Sequence, residues 1–195
     1  PHARIDGRAG QVLAAARRLR CPVKWTADRS ESFVSDLQRR DRVMTGRMAF
    51  DADHRITGLH VDMISNFGAY VSSFMPFVAT LASTAVQSMA YAIPAIHTEV
   101  RGVLTNTVPI DAYRGAGRPE TGFMVERLLD KAARRFDMSA ADLRRRNFIA
   151  AEQFPWDTGL GFVYDCGEFE RHLDLALTQS DAEGFLARRD EARTR

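Results

Sequence analysis

Residues 43–64 read Val43-Met44-Thr45-Gly46-Arg47-Met48-Ala49-Phe50-Asp51-Ala52-Asp53-His54-Arg55-Ile56-Thr57-Gly58-Leu59-His60-Val61-Asp62-Met63-Ile64. Two β-like runs, Val43 to Phe50 and Ile56 to Ile64, flank a connection from Asp51 to Arg55. Its aspartates suit a tight reversal because a short carboxylate can hydrogen-bond the backbone just ahead of it. An antiparallel pair is predicted. Leu59, Val61 and Met63 alternate with His60 and Asp62, a period of two that gives the second strand one buried and one wetter face.

Towards the N-terminus, Gln11 to Leu19 places Val12, Ala15, Ala16 and Leu19 on one helical face with Arg17 and Arg18 opposite, and Cys21-Pro22 ends the run. Pro22 to Thr26 reads as a strand leading into a charged turn, Asp28 to Asp36. Towards the C-terminus, Ala79 to Tyr91 predicts a helix with Ala82, Ala85, Val86 and Met89 along one face, closed by Pro94. His97 to Thr107 predicts a further strand. A helix beginning near Thr121 comes next, with Val125, Leu128, Leu129, Ala132 and Phe136 on one stripe. Ser139 with Asp142 starts another in capping-box style. Phe154 to Gly167 reads as a loop with an extended piece at 162–164. Glu168 to Thr178 reads as a helix burying Phe169, Leu173, Ala176 and Leu177, and Arg188 to Arg195 as a solvated helix. The expected class is α+β: a mixed sheet from 22–26, 43–50, 56–64 and 97–107 with packed helices, then a mainly helical C-terminal part. The expected division is one α+β domain over 1–150 and the start of a helical segment over 151–195.

A chain of 195 residues, 45% of them hydrophobic, can bury a core, which excludes disorder. Of its 27 basic residues only Lys24 and Lys131 are lysines, leaving 25 arginines against 25 acidic residues. The net charge of +2 implies no polyanion partner by itself. Cys21 and Cys166 make no disulfide framework, and His2, His54, His60, His97 and His172 have no ligand spacing, so no metal is assigned to them. A depressed thiol pKa is conceivable at Cys166, ahead of a helix, but a structural thiol is the plainer reading. Met63 to Thr98 contains no Asp, Glu, Lys or Arg. Pro76, Pro94 and the hydroxyls of Ser72, Thr80, Ser83, Thr84 and Ser88 argue against a bilayer span. A segment covered inside a larger protein fits better, so the isolated chain is expected to expose apolar surface. No signal-peptide pattern opens the sequence, and a reducing cytoplasm is expected.

The stretch Asp111-Ala112-Tyr113-Arg114-Gly115-Ala116-Gly117-Arg118-Pro119-Glu120 lies between a predicted strand and a predicted helix. Glycines let backbone amides approach a ligand, arginines supply planar fixed charge, and a helix N-terminus lies just beyond. Phosphate, pyrophosphate or a metal-oxo group would suit it. A tight connection carrying surface arginines suits it too, and so does an arginine-rich module binding an anion or nucleic acid without catalysis. The run Arg144-Arg145-Arg146 would serve that last reading, although Glu126, Asp130, Asp137 and Asp142 nearby offer a charged helix face instead.

Residues 112–120 closely resemble the active-site loop of the molybdopterin-binding large subunits of the xanthine dehydrogenase and aldehyde oxidase family, including its carbon monoxide dehydrogenase-like branch. Further segments resemble the family in its usual order: Arg17-Arg18-Leu19 leading to Pro22-Val23-Lys24-Trp25, Ser65-Asn66-Phe67-Gly68-Ala69-Tyr70, Glu126-Arg127-Leu128-Leu129-Asp130, Asp142 to Ile149, and Tyr164-Asp165-Cys166-Gly167-Glu168-Phe169. The resemblance runs from about Ala14 to the C-terminus.

The resemblance implies part of a molybdenum hydroxylase that inserts water-derived oxygen into a C–H bond of an aldehyde or aromatic heterocycle. It implies a molybdenum–molybdopterin cofactor, with the cytosine dinucleotide form possible, and partner subunits carrying 2Fe–2S and FAD: a small iron–sulfur subunit and a medium flavin subunit. Tyr113, Arg114, Gly115, Ala116, Gly117 and Arg118 are the implied cofactor-binding residues. Arg114 is the implied catalytic arginine beside the metal, expected to face a concavity instead of pairing with Asp111 or Glu120. Ala116 is implied to lie near substrate, where an alanine cannot stack on a purine. Gly115 stands where carbon monoxide oxidisers carry a cysteine, which disfavours that reaction. The family's Gly-Gly-Gly-Phe-Gly loop is not reproduced in residues 1–10, and its catalytic glutamate has no counterpart here. The expectation is an internal fragment, inactive alone.

Overall fold

The structure, a computed structural model, describes residues 7–72 and 74–194, with side chains from Ala9 onward. His2, Arg195 and the rest of the first six residues lie outside the described residues, and so do the expectations that concern them. Two compact units are present, the first ending at Asp36 and the second beginning at Leu37.

The first unit carries helices α1 (Gly7–Leu19) and α2 (Arg29–Ser35). α2 replaces the charged turn expected at 28–36. The Asp28 carboxylate accepts from the Glu31 amide at 2.8 Å and the Glu31 carboxylate accepts from the Asp28 amide at 3.0 Å, a reciprocal cap that starts a helix. Residues 22–28 have no regular structure, so the strand expected at 22–26 is absent. Among the described residues of this unit both elements are helices, and a β-favouring segment without a neighbouring strand has nothing to satisfy its ladder.

The second unit is α+β. Strands β1 (Arg42–Phe50), β2 (Ile56–Gly68) and β3 (Ile96–Leu104) form one sheet in the order β1-β2-β3. β1 and β2 are antiparallel, with Gly46 opposite Val61, whereas β2 and β3 are parallel, with Val61 opposite Thr98. The sheet is therefore mixed, without the fourth member expected at 22–26. The reversal forms as its aspartates suggest: the Asp51 carboxylate accepts from the amides of Asp53 at 3.0 Å and Arg55 at 2.8 Å. Leu59, Val61 and Met63 are buried, while His60 and Asp62 are half-buried on the other face.

Between β2 and β3 the single helix expected over 79–91 is broken into α3 (Met75–Ala79) and α4 (Leu81–Thr84), followed by turns. Competing partners explain the break. Carbonyls a long helix would use internally are taken from outside: Val78 O by Arg42 at 2.7 Å, Ala79 O by Ser65 at 2.8 Å and Ser83 O by Thr121 at 3.0 Å. Ser83, Gln87 and Ser88 are fully buried polar residues, and Met89 has a left-handed φ of 49°.

Helix α5 (Arg118–Arg135) lays Met124, Val125, Leu129 and Ala133 against Leu59 and Val61, and α6 (Ala140–Asn147) adds Leu143. Burying a leucine such as Leu129 stabilises by about 2 kcal/mol. Asn147, 3% exposed, ties α6 to the sheet: its Oδ1 accepts from the Ile56 amide at 2.7 Å and its Nδ2 donates to the carbonyls of His54 at 3.0 Å and Leu143 at 2.9 Å. Asn147→Ala should therefore lower the unfolding free energy by about 2–3 kcal/mol, because a buried amide loses its acceptor, and urea titration reads this directly.

The C-terminal part holds the two-stranded hairpin of β4 (Trp156–Asp157) and β5 (Val163–Tyr164), then helices α7 (Phe169–Gln179) and α8 (Phe185–Arg193). The burial expected of α7 is only partial: Phe169, Leu173 and Leu177 are half-buried and Ala176 is exposed. Its contacts are at one end and one flank, through Phe169 against Phe148 and Phe154 and through Arg145 to Glu170 and Asp174.

Candidate functional site

The 112–120 turn is held from the segment that precedes β1. Gln38 bridges Ile110, with the Gln38 amide donating to Pro109 O at 2.9 Å and the Asp111 amide donating to Gln38 O at 3.0 Å. Two tight reversals come next, Ala116 N to Tyr113 O at 2.7 Å and Arg118 N to Gly115 O at 3.0 Å. Gly115, Ala116 and Gly117 take φ values of 98°, 40° and 97°, three left-handed residues in succession. α5 begins at Arg118, three residues before the expected start, because Gly117 is its N-cap and Pro119 fits the first turn, where a missing amide hydrogen costs nothing.

The glycines are required by the chain's own packing. A Cβ on Gly117 would lie 2.6 Å from Ser83 Oγ and 2.8 Å from Ser83 N, and one on Gly115 would lie 2.7 Å from Pro119 Cγ. Gly117 thus seats the start of α5 on α4. The amides of Gly115 and Gly117 donate to no acceptor among the described residues, and no side chain caps α5.

Arg114 is exposed, and its guanidinium makes no hydrogen bond or ion pair among the described residues. It avoids Glu120, as anticipated, since that carboxylate belongs to two other arginines: Arg40 Nε lies 3.7 Å from Glu120 Oε2 and Arg42 Nη1 lies 3.5 Å from Glu120 Oε1. Asp111 accepts from Ser72 at 2.7 Å. The cavity beneath the turn differs from the expected concavity. At about 10 Å³ it is lined by Arg40, Arg42, Tyr113, Ala116, Gly117 and Glu120 among others, and Arg114 does not line it. A pterin cannot enter so small a space.

Arg42 is only 2% exposed; burial pushes its pKa down, Glu120 opposes that shift, and Arg40 adds to it. Arg42 Nε and Glu120 Oε2 are buried with no hydrogen-bond partner among the described residues. The Tyr113 ring carries Arg39 at 3.8 Å and Arg40 at 4.9 Å from its centre, a cation–π stack on the residue before Arg114. Arg118 is exposed and unpaired among the described residues. The turn therefore combines two free guanidiniums, two free amides and an uncapped helix start, a donor set that fits an anionic group.

Arg39, Arg40 and Arg42 carry no such signal in the sequence, where Gln38-Arg39-Arg40-Asp41-Arg42 looks like a solvated charge run. The Arg144 to Arg146 run is absorbed internally. Arg144 pairs with Glu126 at 2.7 Å and Asp130 at 2.8 Å, Arg145 pairs with Glu170 and Asp174, and Arg146 donates to Asp53 O at 2.8 Å. Partial burial lowers the Arg144 pKa, but Asp130 and Glu126 outweigh it and the net direction is up. Tyr91, whose hydroxyl donates to Glu126 at 2.7 Å, is pushed up by burial and by that carboxylate. Cys166 is exposed and its pKa is raised by Asp165, the opposite of an activated thiol. The described residues contain no group of three or more His, Cys, Asp or Glu able to hold a metal ion, and no helix long and apolar enough to cross a membrane.

Residues 8–148 match the model of the molybdopterin cofactor-binding domain. The chain is 36% identical over 177 residues to the 6-hydroxypseudooxynicotine dehydrogenase complex subunit gamma of Paenarthrobacter nicotinovorans, covering 88% of this chain and 22% of that protein. It is 36% identical over 178 residues to the carbon monoxide dehydrogenase large chain of Hydrogenophaga pseudoflava, covering 90% of this chain and 22% of that protein. The crystal structure of quinoline 2-oxidoreductase from Pseudomonas putida 86 superposes with a TM-score of 0.88 at 33% identity, covering 95% of this chain and 24% of that one. The chain thus spans about a quarter of the length of these relatives. With the family model matched over most of the chain and the α+β fold shared with these relatives, the chain belongs to the molybdopterin cofactor-binding domain family.

Proposed function

We propose that this chain presents the 112–120 turn to a molybdenum–molybdopterin cofactor within the large subunit of a hydroxylase, and that the complete enzyme oxidises an aromatic heterocycle or an aldehyde with water-derived oxygen. The observation that carries the reading is the unpaired Arg114 guanidinium on a turn whose carboxylates are engaged elsewhere. Arg114, Arg118 and the amides of Gly115 and Gly117 would hold the anionic group, with Tyr113 braced behind them by Arg39 and Arg40. When bound, the cofactor supplies the oxygen-transfer and two-electron chemistry that no side chain here can provide. Arg114 contributes a planar donor fork, and Ala116, which lines the small cavity of the turn, puts no large side chain in the way of substrate.

Gly115 carries no thiol, which speaks for C–H hydroxylation over carbon monoxide oxidation. The name of the quinoline 2-oxidoreductase relative supports a nitrogen heteroaromatic as substrate. Tyr70, Val71, Phe74, Phe77 and Leu81 are 49–59% exposed along the uncharged segment, which supports further polypeptide lying against it. In the same reading the pterin takes the cytosine dinucleotide form, a small and a medium partner subunit carry 2Fe–2S and FAD, and the enzyme is cytoplasmic.

The test is to produce the polypeptide carrying this chain, with its iron–sulfur and flavin partners, in a host that makes the cofactor, and to assay molybdenum and pterin in the purified protein. Near-stoichiometric content of both is expected, and their absence from folded protein would reject the proposal.

A further inference from the structure

We propose that Arg40 is the positioning residue of the Arg114 turn: it clamps the peptide between Arg114 and Gly115 against the first turn of α5. The inference rests on the reading of this turn as the face presented to the cofactor. Arg40 Nη2 donates to the Arg114 carbonyl at 2.6 Å across 74 positions of sequence. The same guanidinium lies 3.7 Å from Glu120 and 4.9 Å from the centre of the Tyr113 ring. One planar group therefore touches the residue before Arg114, the carbonyl of Arg114 itself and the carboxylate six residues after it.

The clamp is needed because a glycine succeeds Arg114. Gly115, at φ 98°, is the residue least able to hold a peptide plane in place, so the Arg114–Gly115 unit could rotate if its carbonyl were free. Rotation about the Arg114–Gly115 Cα–Cα axis would turn the Gly115 amide, one of the two free amides of the turn, away from its present direction. A charge-assisted bond from a fork that is also held by a second anchor opposes that rotation, whereas a point donor could not serve both anchors at once.

The clamp is itself braced. Glu120, with a side chain 10% exposed, is oriented by Arg42, which donates to Val78 O at 2.7 Å and to Ser83 Oγ. Position is thus passed from α3 and α4 through Arg42, Glu120 and Arg40 to the Arg114 carbonyl. The backbone carries a second sign of this role. Arg40 sits at φ 60°, a left-handed conformation that a long L-residue adopts at a cost, beside the Gln38–Ile110 bridge that fixes where it starts. If this site needed only its backbone shape, glycine would serve better.

Arg40→Gly makes the test clean, since glycine suits that φ and removes only the side chain. Amide hydrogen exchange in the 195-residue chain should speed up about tenfold at Ala116 and Arg118, whose amides close the two reversals, while Leu129 in the core is unchanged. Arg40→Lys should show the same acceleration, because it keeps the charge and loses the fork. In the molybdenum-loaded enzyme both variants should lower kcat with KM and cofactor content retained. Unchanged exchange at Ala116 in both variants would overturn the proposal. Should Arg40→Gly loosen Leu129 equally, Arg40→Lys decides: selective acceleration at Ala116 sustains the clamp and its absence overturns it. Unchanged turnover in Arg114→Lys would instead reject the cofactor reading, with the exchange result standing apart from it.

Discussion

Gly117→Ala should destabilise the chain by about 3 kcal/mol in a urea titration, the sum of two penalties of roughly 1–2 kcal/mol each. The first is conformational, since φ is 97° and an alanine there is strained wherever its methyl points. The second is steric. The new Cβ would lie 2.6 Å from Ser83 Oγ, 2.8 Å from Ser83 N and 2.9 Å from Ala82 C, and two of those three atoms are backbone that cannot rotate away. Ser83 is fully buried, and its carbonyl already accepts from Thr121 in α5, so a shift there pulls on both helices. Gly161→Ala is the matched control: φ is 93°, yet nothing lies within 4 Å of its Cβ, so only the conformational share of about 1 kcal/mol should appear. Equal losses at the two positions would show that the seat of α5 on α4 is not tight.

The parts of the fold legible in the sequence are those where local pattern and tertiary demand agree. Residues 43–64 carry both an alternating face and a turn whose aspartate caps its own reversal, so the hairpin and the buried face of its second strand are both readable. α5 is legible because its apolar stripe is the surface that meets Leu59 and Val61. The failures occur where partners distant in sequence decide. Pro22 to Thr26 has strand composition and, among the described residues of its unit, no strand beside it. The segment 79–91 has helical spacing, yet the carbonyls of Ala79 and Ser83 are claimed by Ser65 and Thr121, that of Val78 just ahead of it by Arg42, and Gln87 accepts from Thr98. The Asp28-Arg29-Ser30-Glu31 box is visible in the sequence, but its charges mask the cap they form.

The site divides the same way. Tyr113 to Arg118 stand together in sequence, and their type and spacing announce an anion-ready turn. Arg39, Arg40 and Arg42 lie more than seventy positions earlier, in a charge run with no distinguishing pattern, and only the fold brings them behind the turn. The glycines carry a further lesson. Their conformational freedom suggests room for a ligand, whereas the close approaches they permit are to Pro119 and Ser83.

Whether Arg114 acts at the cofactor is read most directly from turnover of Arg114→Lys in the complete enzyme, normalised to bound molybdenum and taken with a verified substrate. Arginine offers a rigid planar fork of donors; lysine offers one mobile ammonium that cannot present two donors in a plane. Losing an oriented donor of this kind costs on the order of a hundredfold in kcat. Cofactor content should fall far less, because Arg118 and the free amides of Gly115 and Gly117 remain. Stability should also be kept, since the Arg114 side chain is exposed and unpaired among the described residues. Turnover per molybdenum should fall about a hundredfold in a folded, cofactor-loaded enzyme; turnover equal to that of the unsubstituted enzyme would show that Arg114 does not act at the cofactor.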